Sequence, residues 1–438
     1  MNRTGTVAIC RFSLFAVGSA YRIRLPHDAF VIPPVWEAVK ITWAVPPAWL
    51  MTLNVDFTSM TNGGQLANAG FTFTNATTTA RTYINSSGLV ATATTNEPRF
   101  DHDPTTLAPR GLLIEGSATN LLPNSQTLSG TGWFTGGICT RTSNYATGPD
   151  GIANSATRLE MSFSGGVGRT YYDSGYTTLP QTMSVWLKSN TGSNQTVNLW
   201  NTSGTPVSCT VTPTWKRFQS VSTTGSSLPG YFYFENPSTT VAVDILAWGA
   251  QLEAGSGASS YIPTVASTVT RLRDEVVLSS LPGIAFNQSA GTIYSQLEIV
   301  EKLRGSFVPY GSFDTSGGGR CWWWLRHNHD TSVGQRILGT AFNSGGSTAI
   351  TSSNYTHSSG VFKFATSLDP VAGRMVYAIA GGSAQVTNAS GFTLATAAQM
   401  SLNKNSDVAA TDLGSMWVRS IKYWPTALPD ATLQSMTT

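Results

Sequence analysis

From Leu53 onward the chain alternates apolar and polar residues with a period of two, the pattern of half-buried strands. Gly70-Phe-Thr-Phe-Thr and Ala80-Arg-Thr-Tyr-Ile-Asn come first, and Ser86-Ser-Gly turns the second run into Leu89-Val-Ala-Thr-Ala-Thr. Strand, turn and strand predict a hairpin. Short runs follow over Thr182–Lys188, Thr196–Trp200, Tyr231–Glu235 and Val241–Trp248, separated by Ser, Gly, Asn and Pro. A later set covers Gly291–Val300, Arg320–Arg326, Val361–Ala365, Arg374–Ala380 and Met416–Trp424. Helical periodicity is almost absent; one short turn is expected over Ala431–Met436, with Asp430 as its N-cap. No repeat of 20–50 residues is visible, which argues against solenoids and propellers.

This pattern predicts an all-β protein: two antiparallel β-sandwich, jelly-roll-like domains preceded by an irregular N-terminal arm and a β-hairpin linker. The 438 residues exceed one ordinary core. The expected division is an arm over 1–50, a hairpin linker over 51–120, a jelly roll over 121–274 and a second sandwich over 275–438. The arm is rich in Pro and carries Trp36, Trp43 and Trp49. So short a segment cannot bury three tryptophans by itself, so it is expected to lie against another subunit or against the later domains.

Composition narrows the function. Hydrophobic residues make up 41%, enough to build cores, but charged residues only 11%, against a usual share of about 25%. The surface therefore draws its polarity from Ser, Thr, Asn, Gln and Gly. A net charge of +3 with scattered Lys and Arg provides no basic stripe, and nucleic acid is not expected as a partner. No apolar run reaches the length of a membrane span. Val7–Ala20 faintly resembles a signal peptide, but Arg11 interrupts it, and an ordered arm is the expectation. Cys10, Cys139, Cys209 and Cys321 form no CxxC and no zinc-ribbon spacing. Cys139 and Cys209 are read as either a pair or two buried free thiols.

Two stretches carry a resemblance. The first runs from Glu97-Pro-Arg-Phe-Asp-His-Asp-Pro to Arg110-Gly-Leu-Leu-Ile-Glu-Gly-Ser-Ala-Thr-Asn-Leu-Leu-Pro-Asn-Ser125. The second is Ala247-Trp-Gly-Ala-Gln-Leu-Glu-Ala-Gly with Ser260-Tyr-Ile-Pro-Thr and Thr268-Val-Thr-Arg271. With Met183–Lys188 and Thr214–Phe218 between them, they resemble segments of tailed-phage structural proteins that enclose a carbohydrate-binding-module-like jelly roll. The C-terminal part, through Trp417–Pro425 and Ala427–Gln434, is similar to a concanavalin A/laminin-G-type sandwich. The resemblance implies a virion protein on the particle exterior, of the tail-fibre or adhesin type, contacting host-surface glycan. It implies other virion proteins as partners through the arm, and a homo-oligomer, a trimer by analogy with phage fibres. A capsid decoration or minor tail protein that cements neighbours is the alternative, and a polysaccharide depolymerase a third.

Candidate chemistry is sparse. A glycosidase needs two facing carboxylates, and the 23 acids are too dispersed to nominate a pair; GxSxG, HExxH and Walker loops are absent. No enzyme and no cofactor are expected. Arg99, Asp101, Asp103, Arg110 and Glu115 are read as ion-pairing residues that fix the linker on the jelly roll. Asp101-His102-Asp103 offers too few oxygens for calcium, and no metal site is assigned. Trp322-Trp-Trp324 followed by His327-Asn-His329-Asp330 places Trp322 and Trp324 on one strand face and Trp323 on the other. Trp323, His327, His329 and Asp330 are therefore candidates for glycan or partner contact, as is Trp133 in its glycine-rich loop. Trp186, Trp200, Trp215 and Trp248 are expected in the sandwich core.

Overall fold

The structure is a computed structural model, described here for the strands at 13–17 and 20–24 and for residues 51–438. Within the latter, residues 76–78, 164–165, 176–179, 201–204, 223–230, 301–307, 316–319, 331–333, 343–348, 352–354, 357–359, 391 and 403–414 are left out. For several strands between 300 and 356 only the backbone is described. Residues 1–42 form a unit of their own, in which Ser13–Val17 pairs antiparallel with Ala20–Arg24. The arm tryptophans lie outside the described residues.

The remainder is all-β, with two β-sandwiches. The jelly roll has two five-stranded antiparallel sheets. One runs in the order Trp133–Gly136, Arg169–Asp173, Tyr231–Glu235, Gln195–Trp200, Val207–Val211; below it is called the open sheet. The other, the covered sheet, runs Ile138–Ala146, Ala156–Ser162, Val243–Ala254, Gln181–Ser189, Lys216–Ser222. Alternate residues of both sheets, among them Leu159, Met183, Val185, Val197, Leu199, Phe232, Phe234 and Ile245, meet in one sealed core.

The second sandwich has two eight-stranded sheets. One is built around Gly291–Val300 and Ser415–Trp424, the other around Val308–Asp314 and Arg320–Asp330. Their shared core includes Ile293, Phe313, Trp322, Trp324, Phe364, Met416 and Tyr423. Residues 51–120, expected as a linker, do more than connect. Phe71–Thr74 pairs with Glu275–Leu278, Leu53–Asp56 and Pro109–Glu115 flank Ser415–Trp424, and Arg99–His102 forms an edge. Four-residue strands have no independent stability, and burying Phe71, Phe73, Leu112 and Ile114 requires the larger sheets. The expected hairpin is present as Arg81–Ile84 with Val90–Ala93. The jelly roll is thus an insertion in the second sandwich, and Ala118–Asn120 pairs with Val269–Arg271 where the chain leaves and returns.

Helices are few. Gly63–Asn68 carries a capping box in which Asn62 accepts from the Gln65 N–H and the Gln65 side chain accepts in return. The C-terminal helix is Asp430–Thr437 with Pro429 at the N-cap. Asp430 is therefore a first-turn residue rather than the cap, and it pairs with Arg374 at 2.7 Å. This helix covers the outer face of its sheet through Leu433, packed with Tyr294, Val376 and Trp424. Cys139, Cys209 and Cys321 are free thiols; Cys209 and Cys321 are buried and Cys139 only partly so. Burial pushes the Cys139 and Cys209 thiols up to about 11.

Candidate functional site

Two aromatic faces flank the jelly-roll core, and they differ in what covers them. On the covered sheet, Trp186 and Trp248 are cross-strand partners that point away from the core. They cluster with Ala156, Tyr261 and Val90, the last from the 81–93 hairpin. The Tyr261 ring lies 4.6 Å from that of Trp248. Gly249, at φ +64, carries the strand past this ring, and a Cβ there would lie 3.3 Å from it. Trp186 and Trp248 are thus buried as expected, but in this seam rather than between the two sheets.

Beneath the seam lies a charge network. Arg99 donates to Glu115 at 2.6 Å and to Asp274 at 2.5 Å, Arg271 donates to Glu115 at 2.6 Å, and Arg81 donates to Asp274 at 3.2 Å. All five side chains are closed to solvent. Ser260 donates to Glu115 from both its N–H and its hydroxyl. Burial pushes the Glu115 carboxyl up, but the Arg271 and Arg99 guanidiniums outweigh it and hold the group well below the usual carboxylate range. Residues 97–125 and 247–271 therefore meet here. In the second, Glu253 accepts from the N–H and hydroxyl of Ser259, and Gln251 accepts from the Ile262 N–H.

The structure places the other linker residues separately. Asp101 accepts from the Ile84 N–H at 2.5 Å and from Trp417 Nε1 at 2.6 Å, and burial raises its carboxyl above the ordinary value. The Arg110 guanidinium lies 3.3 Å from the Trp417 ring centroid and pairs with Glu298. Asp103 accepts from the N–H groups of Thr105 and Thr106 and so fixes only its own turn. Among the described residues no group of His, Cys, Asp and Glu is arranged for a metal. A cavity of about 190 Å³ lies at this seam, lined by Tyr83, Asp101, Trp186, Arg217, Tyr261 and Trp417 among others. Arg217 there is engaged, donating to Ser259 O at 2.7 Å and to Ser184 Oγ at 2.9 Å.

On the open sheet the aromatics stand in register on the outer face. Phe134 is opposite Tyr171, Tyr171 opposite Tyr233, and Tyr233 opposite Trp200, across four neighbouring strands. Successive centroids are 5.4, 5.0 and 5.1 Å apart with interplanar angles of 30°, 28° and 23°. At these distances each ring packs against the next in an offset stack. Phe134 is 48% exposed; Tyr171, Tyr233 and Trp200 are half-buried.

Polar residues flank the rings on both sides, with the Tyr231 ring packed on Tyr171 and Tyr233 among them. Asp173 faces Tyr231 on one side and raises its phenol above the ordinary value. On the other side Gly136, Arg169, Glu235 and Asn198 follow one another across the same four strands. The Arg169 guanidinium lies 5.7 Å from the centroids of both Tyr171 and Tyr233. Gly136 makes room for it, since a Cβ there would come within 2.7 Å of Arg169 Nε.

Two expectations are corrected by this face. Trp133 is not a surface contact: it is 4% exposed, packs in the jelly-roll core against Tyr172 and Phe232, and donates from Nε1 to Pro123 O at 2.8 Å. Strand alternation turns Trp133 inward and Phe134 outward. Trp200 is not core but the end of the outer row. The signal available in sequence was the paired aromatics of Arg169-Thr-Tyr-Tyr-Asp and Tyr231-Phe-Tyr-Phe-Glu, where successive rings must face opposite sides of a sheet. Trp322 and Trp324 are in the core of the second sandwich. The side chains of Trp323, His327, His329 and Asp330 lie outside the described residues; their backbones belong to Arg320–Asp330, with a register shift between Trp323 and Arg326.

No protein-family model matches the chain, and none of the curated proteins matches it in sequence. Among solved structures, the botulinum neurotoxin serotype C1 binding domain is similar at TM-score 0.29 and 12% identity, covering 37% of this chain and 39% of that one. The receptor binding domain of botulinum neurotoxin D is similar at TM-score 0.29 and 8% identity, covering 37% and 40%. The serotype D ligand binding domain in complex with N-acetylneuraminic acid is similar at TM-score 0.27 and 10% identity, covering 37% and 39%. The chain thus spans about two fifths of the length of the solved chains it matches. Likeness of this size transfers no function, which rests on the chain's own residues.

Proposed function

We propose that this protein is a non-enzymatic structural component of a tailed-phage particle, exposed on the exterior, whose jelly roll contacts host-surface glycan. The observation that carries the glycan part is the outer row Phe134–Tyr171–Tyr233–Trp200. Sugar rings present apolar C–H faces and hydroxyl edges, and an open aromatic row bordered by polar side chains complements both. The phage part is supported by the resemblance of residues 97–125 and 247–271, which the fold uses as the seam holding the inserted jelly roll. Scarcity of charge suits a particle surface, and no described helix is long and apolar enough to cross a membrane.

The test is binding of purified protein to host-cell envelope, compared with Tyr233→Ala and Trp200→Ala variants of unchanged far-UV circular dichroism. Loss of binding in both supports the reading. Undiminished binding overturns the role of the row, and new reducing ends on incubation with host polysaccharide overturn the non-enzymatic part. Labelling the protein in imaged particles checks its exterior position.

A further inference from the structure

The polar row beside the rings defines the class of glycan, an inference that rests on the glycan reading above. Arg169, Glu235 and Asn198 are consecutive cross-strand neighbours on the outer face, all half-buried. Directly opposite residues of this kind hold their Cβ atoms about 5 Å apart. Arg169 and Glu235 therefore stand where an ion pair forms readily, yet the guanidinium is turned elsewhere. Among the described residues none of the three side chains makes a hydrogen bond or an ion pair. The guanidinium instead lies over Tyr171 and Tyr233. Its Nε–H is closed to solvent and has no acceptor. A Cβ at position 136 would come within 2.7 Å of this Nε, so Gly136 is what lets the guanidinium lie here, with its terminal nitrogens as the remaining donors.

We propose that Arg169, Glu235 and Asn198 form the hydrogen-bonding edge of the platform and select a neutral glycan with adjacent hydroxyls. One hydroxyl accepts from the Arg169 guanidinium while its neighbour donates to the Glu235 carboxylate, and the Asn198 amide serves either role. The sugar ring then rests against Tyr171 and Tyr233. Charge points the same way. This face carries two carboxylates, Asp173 and Glu235, against one guanidinium, so a uronate or sialate entering it meets net negative charge.

The experiment is a printed array of neutral, uronate-bearing and sialylated oligosaccharides, probed with the whole protein and with Tyr233→Ala, Arg169→Gln and Glu235→Gln. Thermal unfolding confirms that each variant is folded. The expected result is wild-type binding to neutral glycans, abolished by Tyr233→Ala and weakened roughly ten- to hundredfold by Arg169→Gln and by Glu235→Gln. Periodate cleavage of vicinal diols on the bound glycans should remove the signal. Preference for acidic glycans, or folded Arg169→Gln and Glu235→Gln proteins that bind normally while Tyr233→Ala does not, overturns the polar-row inference alone. Normal binding by Tyr233→Ala, or no wild-type binding to any glycan, overturns the platform reading beneath it.

Discussion

The two outer faces of the jelly roll are built from similar residues and end in opposite states. The covered sheet presents Trp186 and Trp248, and the hairpin residue Val90 and the returning Tyr261 close over them. The open sheet presents Phe134, Tyr171, Tyr233 and Trp200, which have one another, Tyr231 and Arg169 as partners. An exposed aromatic is thus not a property of the strand that carries it. It depends on whether another segment of chain returns to that face. Here the return is enforced by Glu115 and Asp274, which bind arginines from three separate segments at Arg81, Arg99 and Arg271.

Breaking that enforcement should produce the largest effect. Glu115→Ala leaves Arg271 buried without its carboxylate and Arg99 with Asp274 alone, and should cost about 3–5 kcal/mol in urea unfolding. A loss below about 1 kcal/mol, the range of surface pairs, would mean that the seam is solvated in solution. Trp248→Ala on the covered face should cost about 3–5 kcal/mol, as large-to-small core changes do. On the open side, Phe134→Ala should stay within about 0.5 kcal/mol, while its neighbour Trp133→Ala should behave like Trp248→Ala. Equal costs at positions 133 and 134 would contradict the alternation assigned to that strand.

Acid sharpens the contrast further. The Glu115 carboxyl is held below its ordinary value of 4.5 in the folded protein. Its stabilising contribution is therefore fully present above that value and drains away as pH falls below it, because the unfolded chain then binds the proton more readily. Stability measured by urea should fall on acidification below 4.5, and the fall should be shallower in Glu115→Gln. Asp101 has the opposite sign: burial raises it, so its ionisation opposes folding as pH rises through the folded value, and Asp101→Asn should lessen that loss. A modest effect is expected at Arg110→Ala, where loss of the stack on Trp417 should cost about 0.5–1 kcal/mol, read as a shift in the thermal midpoint.

Much of the architecture is legible along the chain. Gly291–Val300 and Tyr231–Glu235 occupy the limits expected from alternation bounded by Gly, Ser, Asn and Pro. The candidate site was less legible. The glycines that flank Trp133 suggest a surface loop, but the parity of a four-residue strand decides which of two adjacent aromatics faces out, and parity is set by pairing with Arg169–Asp173. The role of 51–120 was hidden for a related reason. Phe71-Thr-Phe-Thr reads as a strand, but nothing local names Glu275–Leu278, about two hundred residues later, as its partner.

The sequence by itself determined that this protein is all-β, where most of its strands lie, and that its charge is scarce. Those properties follow from local periodicity and composition, which each segment carries independently of the others. Only the tertiary structure decided that the jelly roll is inserted within the second sandwich, that five ionised side chains share one sealed seam, and that four rings from four strands stand in one row. These depend on which distant strands become neighbours and in what register, and that choice belongs to the buried core as a whole.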